Sequence, residues 1–199
     1  VDTVNSLVKQ SKVSVSVKAI LEDVAEASNS IKISLGISNE ELAEAATNAK
    51  LFGTNLAGVD AIASSLVDFE SSIAAELQAE LLLGKDINLE KARQLALDND
   101  LAGLGEELKN QTAITASFAT GNRLQQEAAA EALGLSRDAL ADIVMQQELA
   151  NLTAEEFTDR YGETTYQQLQ QVSAQERLNL SMDKFKESIA EAGLAMAPI

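Results

Sequence analysis

Val13-Ser14-Val15-Ser16-Val17 and Ile31-Lys32-Ile33-Ser34-Leu35 both alternate apolar with polar residues, the period-two signature of a strand. No hairpin turn separates them, and the intervening Ala19 to Ser28 reads as helix. Over the longer window Val13, Val17, Ile20, Val24, Ala27 and Ile31 step by 4, 3, 4, 3 and 4. That is a heptad-like seam with β-branched residues at several positions. The helical template accounts for more of the window than the strand template. The spacing therefore predicts one long helix from about Val4 to Leu35, with two short strands as the alternative. An all-α fold follows.

The rest of the composition agrees. Ala, Leu, Glu and Gln dominate, and the single proline is Pro198, so almost nothing breaks a helix from within. A length of 199 residues makes one domain the default and two small ones possible. The chain has no His, which excludes an imidazole base, a Ser-His-Asp triad and His-ligated metal. It has no Cys, which excludes thiol catalysis, Cys-bound zinc and intrachain disulfides. Trp is absent and aromatics are 4%, too few for base-stacking platforms or aromatic sugar clefts. With 31 acidic and 15 basic side chains the net charge is −16, which repels phosphate and argues against sequence-specific nucleic acid. No apolar run nears the roughly 18 residues of a membrane helix, and no basic n-region opens the chain. Neither a stable membrane span nor a secretory signal is expected. Val1 in place of Met leads one to expect a processed product or a piece of something longer.

Helix punctuation is legible along the chain. Leu35-Gly36-Ile37-Ser38 pairs a glycine stop with a new N-cap, Ser38, whose box partner is Glu41; Ile37 and Leu42 take the staple positions. A helix from Asn39 continues towards Phe52 and Gly53. The next is predicted to run unbroken from about Asn55 to Leu83, with Ile62, Leu66, Phe69, Ile73, Leu77 and Leu81 along one side. It would be about 40 Å long. Gly84 ends it, and Asn88 caps a short helix over 89–97. Asp98-Asn99-Asp100 is a polar turn, and Leu101 to Lys109 a weaker helix. Gln111 to Asn122, small and polar, reads as a flexible loop. Leu133-Gly134-Leu135-Ser136 repeats the stop and restart, with Leu135 and Leu140 as staple, and Thr153 with Glu156 forms a further box. A last long helix, from about Thr164 to Glu191, carries Leu178, Met182, Phe185 and Ile189 on one seam. The organisation expected is a long-helix region over 1–87, a short-helix region over 88–150 with its loop at 111–122, and a C-terminal long helix over 151–199.

Few residues suggest chemistry. Asp98-Asn99-Asp100-Leu101-Ala102-Gly103 begins like a calcium loop, but Ala102 and Lys109 occupy positions that need oxygen ligands. The acidic pairs Glu40-Glu41, Glu106-Glu107 and Glu155-Glu156 sit as neighbours on helix surfaces, not across a cleft. Ser6-x-x-Lys9 and Ser181-x-x-Lys184 lack the companion motifs of penicillin-recognising enzymes. No catalytic, metal or cofactor site is expected. The apolar stripes remain, and they are narrow. The seam expected to mediate self-association, as a trimer or higher, is Val13, Val17, Ile20, Val24, Ile31, Ile62, Leu66, Phe69, Ile73, Leu178, Met182, Phe185 and Ile189.

Leu35-Gly-Ile-Ser-Asn-Glu-Glu-Leu-Ala-Glu44 and Leu82-Leu-Gly-Lys-Asp-Ile-Asn-Leu-Glu-Lys-Ala-Arg-Gln-Leu-Ala-Leu97 are helix-junction phrases of a particular kind. Asp100-Leu-Ala-Gly-Leu-Gly-Glu-Glu-Leu108 and Ala132-Leu-Gly-Leu-Ser-Arg-Asp-Ala-Leu-Ala-Asp142 are two more. Together they resemble internal segments of tail tape measure proteins of tailed bacteriophages. The resemblance implies long, partly coiled-coil helices, extended or loosely bundled, packed in several copies inside a tail tube whose length they set. It implies a virion location, tail-tube and tail-tip partners, and no catalytic residues. The alternatives are an acidic virion or scaffolding protein outside the lumen, an embedded wall-degrading domain, or a helical adaptor. An adaptor would be marked by one exposed apolar stripe left over after folding.

Overall fold

The computed structural model describes residues 17–34 and 39–168, and every regular element within them is an α-helix. The chain divides into two compact units, one ending at Asn151 and one starting at Leu152. The first holds α1 (Val17–Glu26), α2 (Asn29–Ser34), α3 (Asn39–Phe52), α4 (Leu56–Leu66) and α5 (Phe69–Leu83). It continues with α6 (Glu90–Leu97), α7 (Leu101–Asn110), α8 (Thr112–Thr120), α9 (Arg123–Ala132) and α10 (Arg137–Asn151). The second holds α11 (Ala154–Tyr161) and a helical stretch over 163–168.

The stretch that decided the class is helical where it is described. Ile20, Ala27 and Ile31 are buried and Val24 packs against them, so the three-and-four spacing governs. It does not make one long helix. Ala27 and Ser28 are non-helical, and the Ser28 Oγ accepts the Ile31 N–H at 3.2 Å. A serine that caps the following turn competes with helix continuation, which is why the predicted single helix becomes α1 and α2 over the described residues. Val13 and the Leu35–Ser38 junction lie outside the described residues.

The predicted 55–83 helix is likewise two. Asp68 Oδ2 accepts the Ser71 hydroxyl at 2.8 Å, and Oδ1 accepts the Ser71 N–H at 3.5 Å. This N-cap starts α5 afresh after Val67. Residues 112–120 are helix rather than flexible loop, because Ile114 and Phe118 have a core to enter. Sequence spacing had offered them no long apolar stripe.

Three of the joints share one geometry. At Gly53, Asn99 and Gly134 the backbone turns left-handed (φ +100°, +57° and +66°). Each time, that residue and the next donate back to the last helical turn: Gly134 to Glu131 O at 2.9 Å and Leu135 to Ala130 O at 2.9 Å, for example. Tertiary packing tightens the requirement at two of them. A Cβ on Gly53 would lie 2.6 Å from the Ile143 carbonyl oxygen, and one on Gly134 would run into the Ser65 hydroxyl.

The core is alanine-rich where helices approach most closely. Ala45, Ala46 and Ala49 of α3 are fully buried against α7, which contributes Leu101, Leu104 and Leu108. Asn48 Nδ2 donates to Ala102 O across the same contact at 3.0 Å. α4 adds Leu56, Val59 and Ile62, packed on α6 and α7. α9 buries Ala128, Ala129 and Ala130 and packs on α5, α8 and α10. It runs antiparallel to α5: Gln125, near its start, donates to Leu82 O at 3.1 Å, whereas Gly134, just past its end, abuts Ser65. Each fully buried leucine contributes about 2 kcal/mol by transfer from water.

Helix ends are closed by amides from elsewhere. Gln147 Nε2 donates to Phe52 O at 2.6 Å, at the C-terminus of α3. Gln126 Nε2 donates to Phe118 O at 3.2 Å, in the last turn of α8. These carbonyls have no partner within their own helices. At the opposite kind of end, both Asp23 oxygens accept the Leu56 N–H, at 3.1 and 3.0 Å, so α1 is tied to the first residue of α4.

Candidate functional site

An amphipathic helix in a folded unit normally turns its apolar face inward. α5 departs from this: Leu82 and Leu83 at its C-terminal end pack against the core, but most of its bulky apolar side chains face away from it. Its buried residues are Ser72, Glu76 and Ala79, while Phe69, Ile73, Leu77 and Leu81 are 43, 44, 60 and 84% exposed.

The inward polar face is held by specific partners. Glu76 Oε1 accepts the Leu89 N–H at 2.9 Å, and Glu76 Oε2 pairs with Arg93 Nη1 of α6. Arg93 Nη1 also reaches Ser72 Oγ at 3.3 Å. One turn on, Glu80 Oε1 accepts the Ile87 N–H at 2.9 Å. α5 thus grips the 86–89 connection and α6 through carboxylates. A buried ion pair adds little net stability, so its presence reflects placement more than strength. With α5 held by these contacts, Leu77 and Leu81 lie on its outward side.

The outward residues recur every fourth position. Because the helix turns every 3.6 residues, they form a slanting stripe about 18 Å long. Glu70, exposed, borders it on one side near the N-terminus; on the other side, near the C-terminus, the half-buried Glu80 holds the Ile87 N–H. Residues 51–84 contain no Lys or Arg. Val67 and Leu124 are also exposed, the first beside the start of α5 and the second beside Gln125 at its end.

Of the residues expected to form a self-association seam, Ile20, Ile31, Ile62 and Leu66 are buried in the chain's own core, and Val24 packs against it. Phe69 and Ile73 lie on the exposed stripe. Val17 begins α1. Val13, Leu178, Met182, Phe185 and Ile189 lie outside the described residues, as do Ser6, Lys9, Ser181 and Lys184. The sequence placed Ile62 and Ile73 on one face of one helix; the break at Asp68 puts them in different surroundings. Glu76 went unnoticed as a buried residue. Its signal was the spacing of Ser72, Glu76 and Ala79, which puts them on one face of the helix.

Several of the remaining carboxylates close helix ends or pair with lysine. Glu156 accepts the Thr153 N–H at 2.8 Å and the Thr153 hydroxyl at 2.7 Å, and these bonds hold its carboxyl below the ordinary value. Glu107 pairs with Lys91 at 2.8 Å, which raises the lysine. Asp100 Oδ1 accepts the Gly103 N–H at 2.8 Å, so the calcium-like turn serves as a helix cap. In the second unit Phe157 is buried, with the Tyr161 and Tyr166 rings 4.9 and 5.9 Å from its own. A shallow depression there is lined by Glu155, Asp159 and Glu163, all exposed. Among the described residues no three His, Cys, Asp or Glu gather as a metal site, and no helix is long and apolar enough to cross a membrane.

The chain matches no family model, no curated protein and no solved structure.

Proposed function

We propose that this chain is a non-catalytic structural component of a bacteriophage tail, related in kind to tape measure proteins, that works through helix-to-helix contact. The observation that carries the contact reading is α5, whose apolar stripe faces outward on a helix locked by its polar side. The tail assignment rests on the junction phrases at 35–44, 82–97, 100–108 and 132–142. The described helices are 6 to 15 residues long, so this part of the chain supplies little of the axial rise that a ruler needs. A position at the tail tip, or at a folded end of the ruler in the tube lumen, suits it better than a stretched middle. In this reading the long coiled-coil arrangement belongs to self-association through Leu178, Met182, Phe185 and Ile189, as a trimer or higher, with tail-tube and tail-tip proteins as further partners.

The stripe's confinement to a single helix also favours a second reading, a helical adaptor that binds a partner's helix. Molar mass from light scattering, with a radius of gyration from X-ray scattering, separates the two. A mass of three or more chains, lost in Met182→Asp/Phe185→Asp, supports the tail component. A monomer at micromolar concentration overturns it and leaves the adaptor.

A further inference from the structure

We infer that the α5 stripe receives an amphipathic helix of a different protein, one whose apolar residues are bordered by lysine or arginine. The inference rests on reading α5 as a contact surface, and it names what makes the contact. Residues at four-residue spacing form a ridge that fits the groove of a second helix. The charges then select among helices.

Glu70 borders the stripe, Asp68 stands at its N-terminal end, the half-buried Glu80 holds the Ile87 N–H beside its C-terminal end, and no basic residue lies between Leu51 and Gly84. Two cations lie near its C-terminal end. Lys85 follows the helix, and Arg123 of α9 is held by Glu127 at 2.9 Å. Along α5 itself, Asp68 and Glu70 are the charges beside the first two turns of the stripe, and Lys85 is the first cation to follow.

A second copy fits poorly. Pairing two α5 helices brings acidic borders to both sides of the seam with no lysine or arginine from either helix to answer them, and it joins two chains that each carry −16. An anionic membrane surface is disfavoured for the same reason. A helix with Lys or Arg beside its leucines meets the stripe with its apolar face and the glutamates with its flanks.

The test uses the full chain and two synthetic helical peptides of about 18 residues. They have the same leucine stripe, flanked by Lys in one and by Glu in the other. Titration calorimetry at low salt is expected to give binding of the Lys-flanked peptide and roughly tenfold weaker binding of the Glu-flanked one. Leu77→Asp should abolish the first without changing the far-ultraviolet circular dichroism, and Glu70→Lys should narrow the difference between the two. Equal affinity for both peptides overturns the charge selection while leaving α5 a contact surface. A dimer of the chain itself that Leu77→Asp dissociates assigns the stripe to a second copy and overturns the inference. Failure of both peptides, with a mass unaffected by Leu77→Asp, overturns the contact reading of α5 as well.

Discussion

Asp23 and Glu156 both accept backbone N–H groups at a helix start, yet their carboxyls are shifted in opposite directions. Around Asp23 burial dominates and pushes it up, against the pull of Lys50 and the Leu56 N–H and with the help of Glu26. Glu156 is fully exposed, and its bonds to Thr153 pull it down. The signs for stability follow. Folding favours protonated Asp23, so its contribution is fullest below 3.8 and is lost as pH rises through its folded value. Folding favours ionised Glu156, so its contribution is present above 4.5 and is lost as pH falls through its folded value. Urea denaturation should therefore find Asp23→Asn gaining on the parent chain as pH rises from about 4 to 7. Glu156→Gln should lose ground over the same range. A parallel pH response of the two variants would contradict both assignments. Gly134 offers a third test at this scale. Gly134→Ala should cost more than the roughly 1–2 kcal/mol of a left-handed alanine, because its Cβ meets Ser65. A double-mutant cycle with Ser65→Gly should recover only the excess.

Single elements carry the clearest contrast between what sequence spacing expresses and what it hides. The helical class was legible from the steps through Val24 and Ile31, and the stops at Gly84 and Gly134 from glycine placement. The breaks at Ser28 and Asp68 were not, because one side-chain oxygen capping a turn outweighs an apolar period that continues across it. Asp68→Ala measures this directly. In one continuous helix the change would stabilise, since alanine is the better helix former. With α5 starting at Asp68 it should cost about 1 kcal/mol, read from chemical denaturation. The candidate site was half legible: Phe69 and Ile73 stood out as apolar, but their exposure depends on Glu76 being drawn inward by Arg93 and Leu89, a long-range event. Arg93→Met, which strands the Glu76 charge, should cost about 3–5 kcal/mol, whereas Glu76→Gln with Arg93→Met, which removes the charge and keeps an acceptor for the Leu89 N–H, should recover most of that. If the double change is as harmful as the single one, the pair does more than orient α5.

At the scale of the molecule, 31 acidic against 15 basic side chains make self-repulsion a term of its own. Raising sodium chloride from low to about 0.15 M shortens the reach of that repulsion to about 8 Å and should raise the melting temperature. A melting temperature that falls with salt would mean that ion pairs such as Lys91–Glu107 outweigh the excess charge.

The amide clasps have a different character. Gln147 on Phe52, Gln125 on Leu82, Gln126 on Phe118 and Gln111 on Asn88 carry no charge and no proton that titrates near neutrality. Acid does not open them and counterions do not loosen them. A change of medium can thus alter how strongly the surface repels its surroundings while the angles between these helices stay as they are. At these four joints the scaffold is electrically silent under a surface that is anything but.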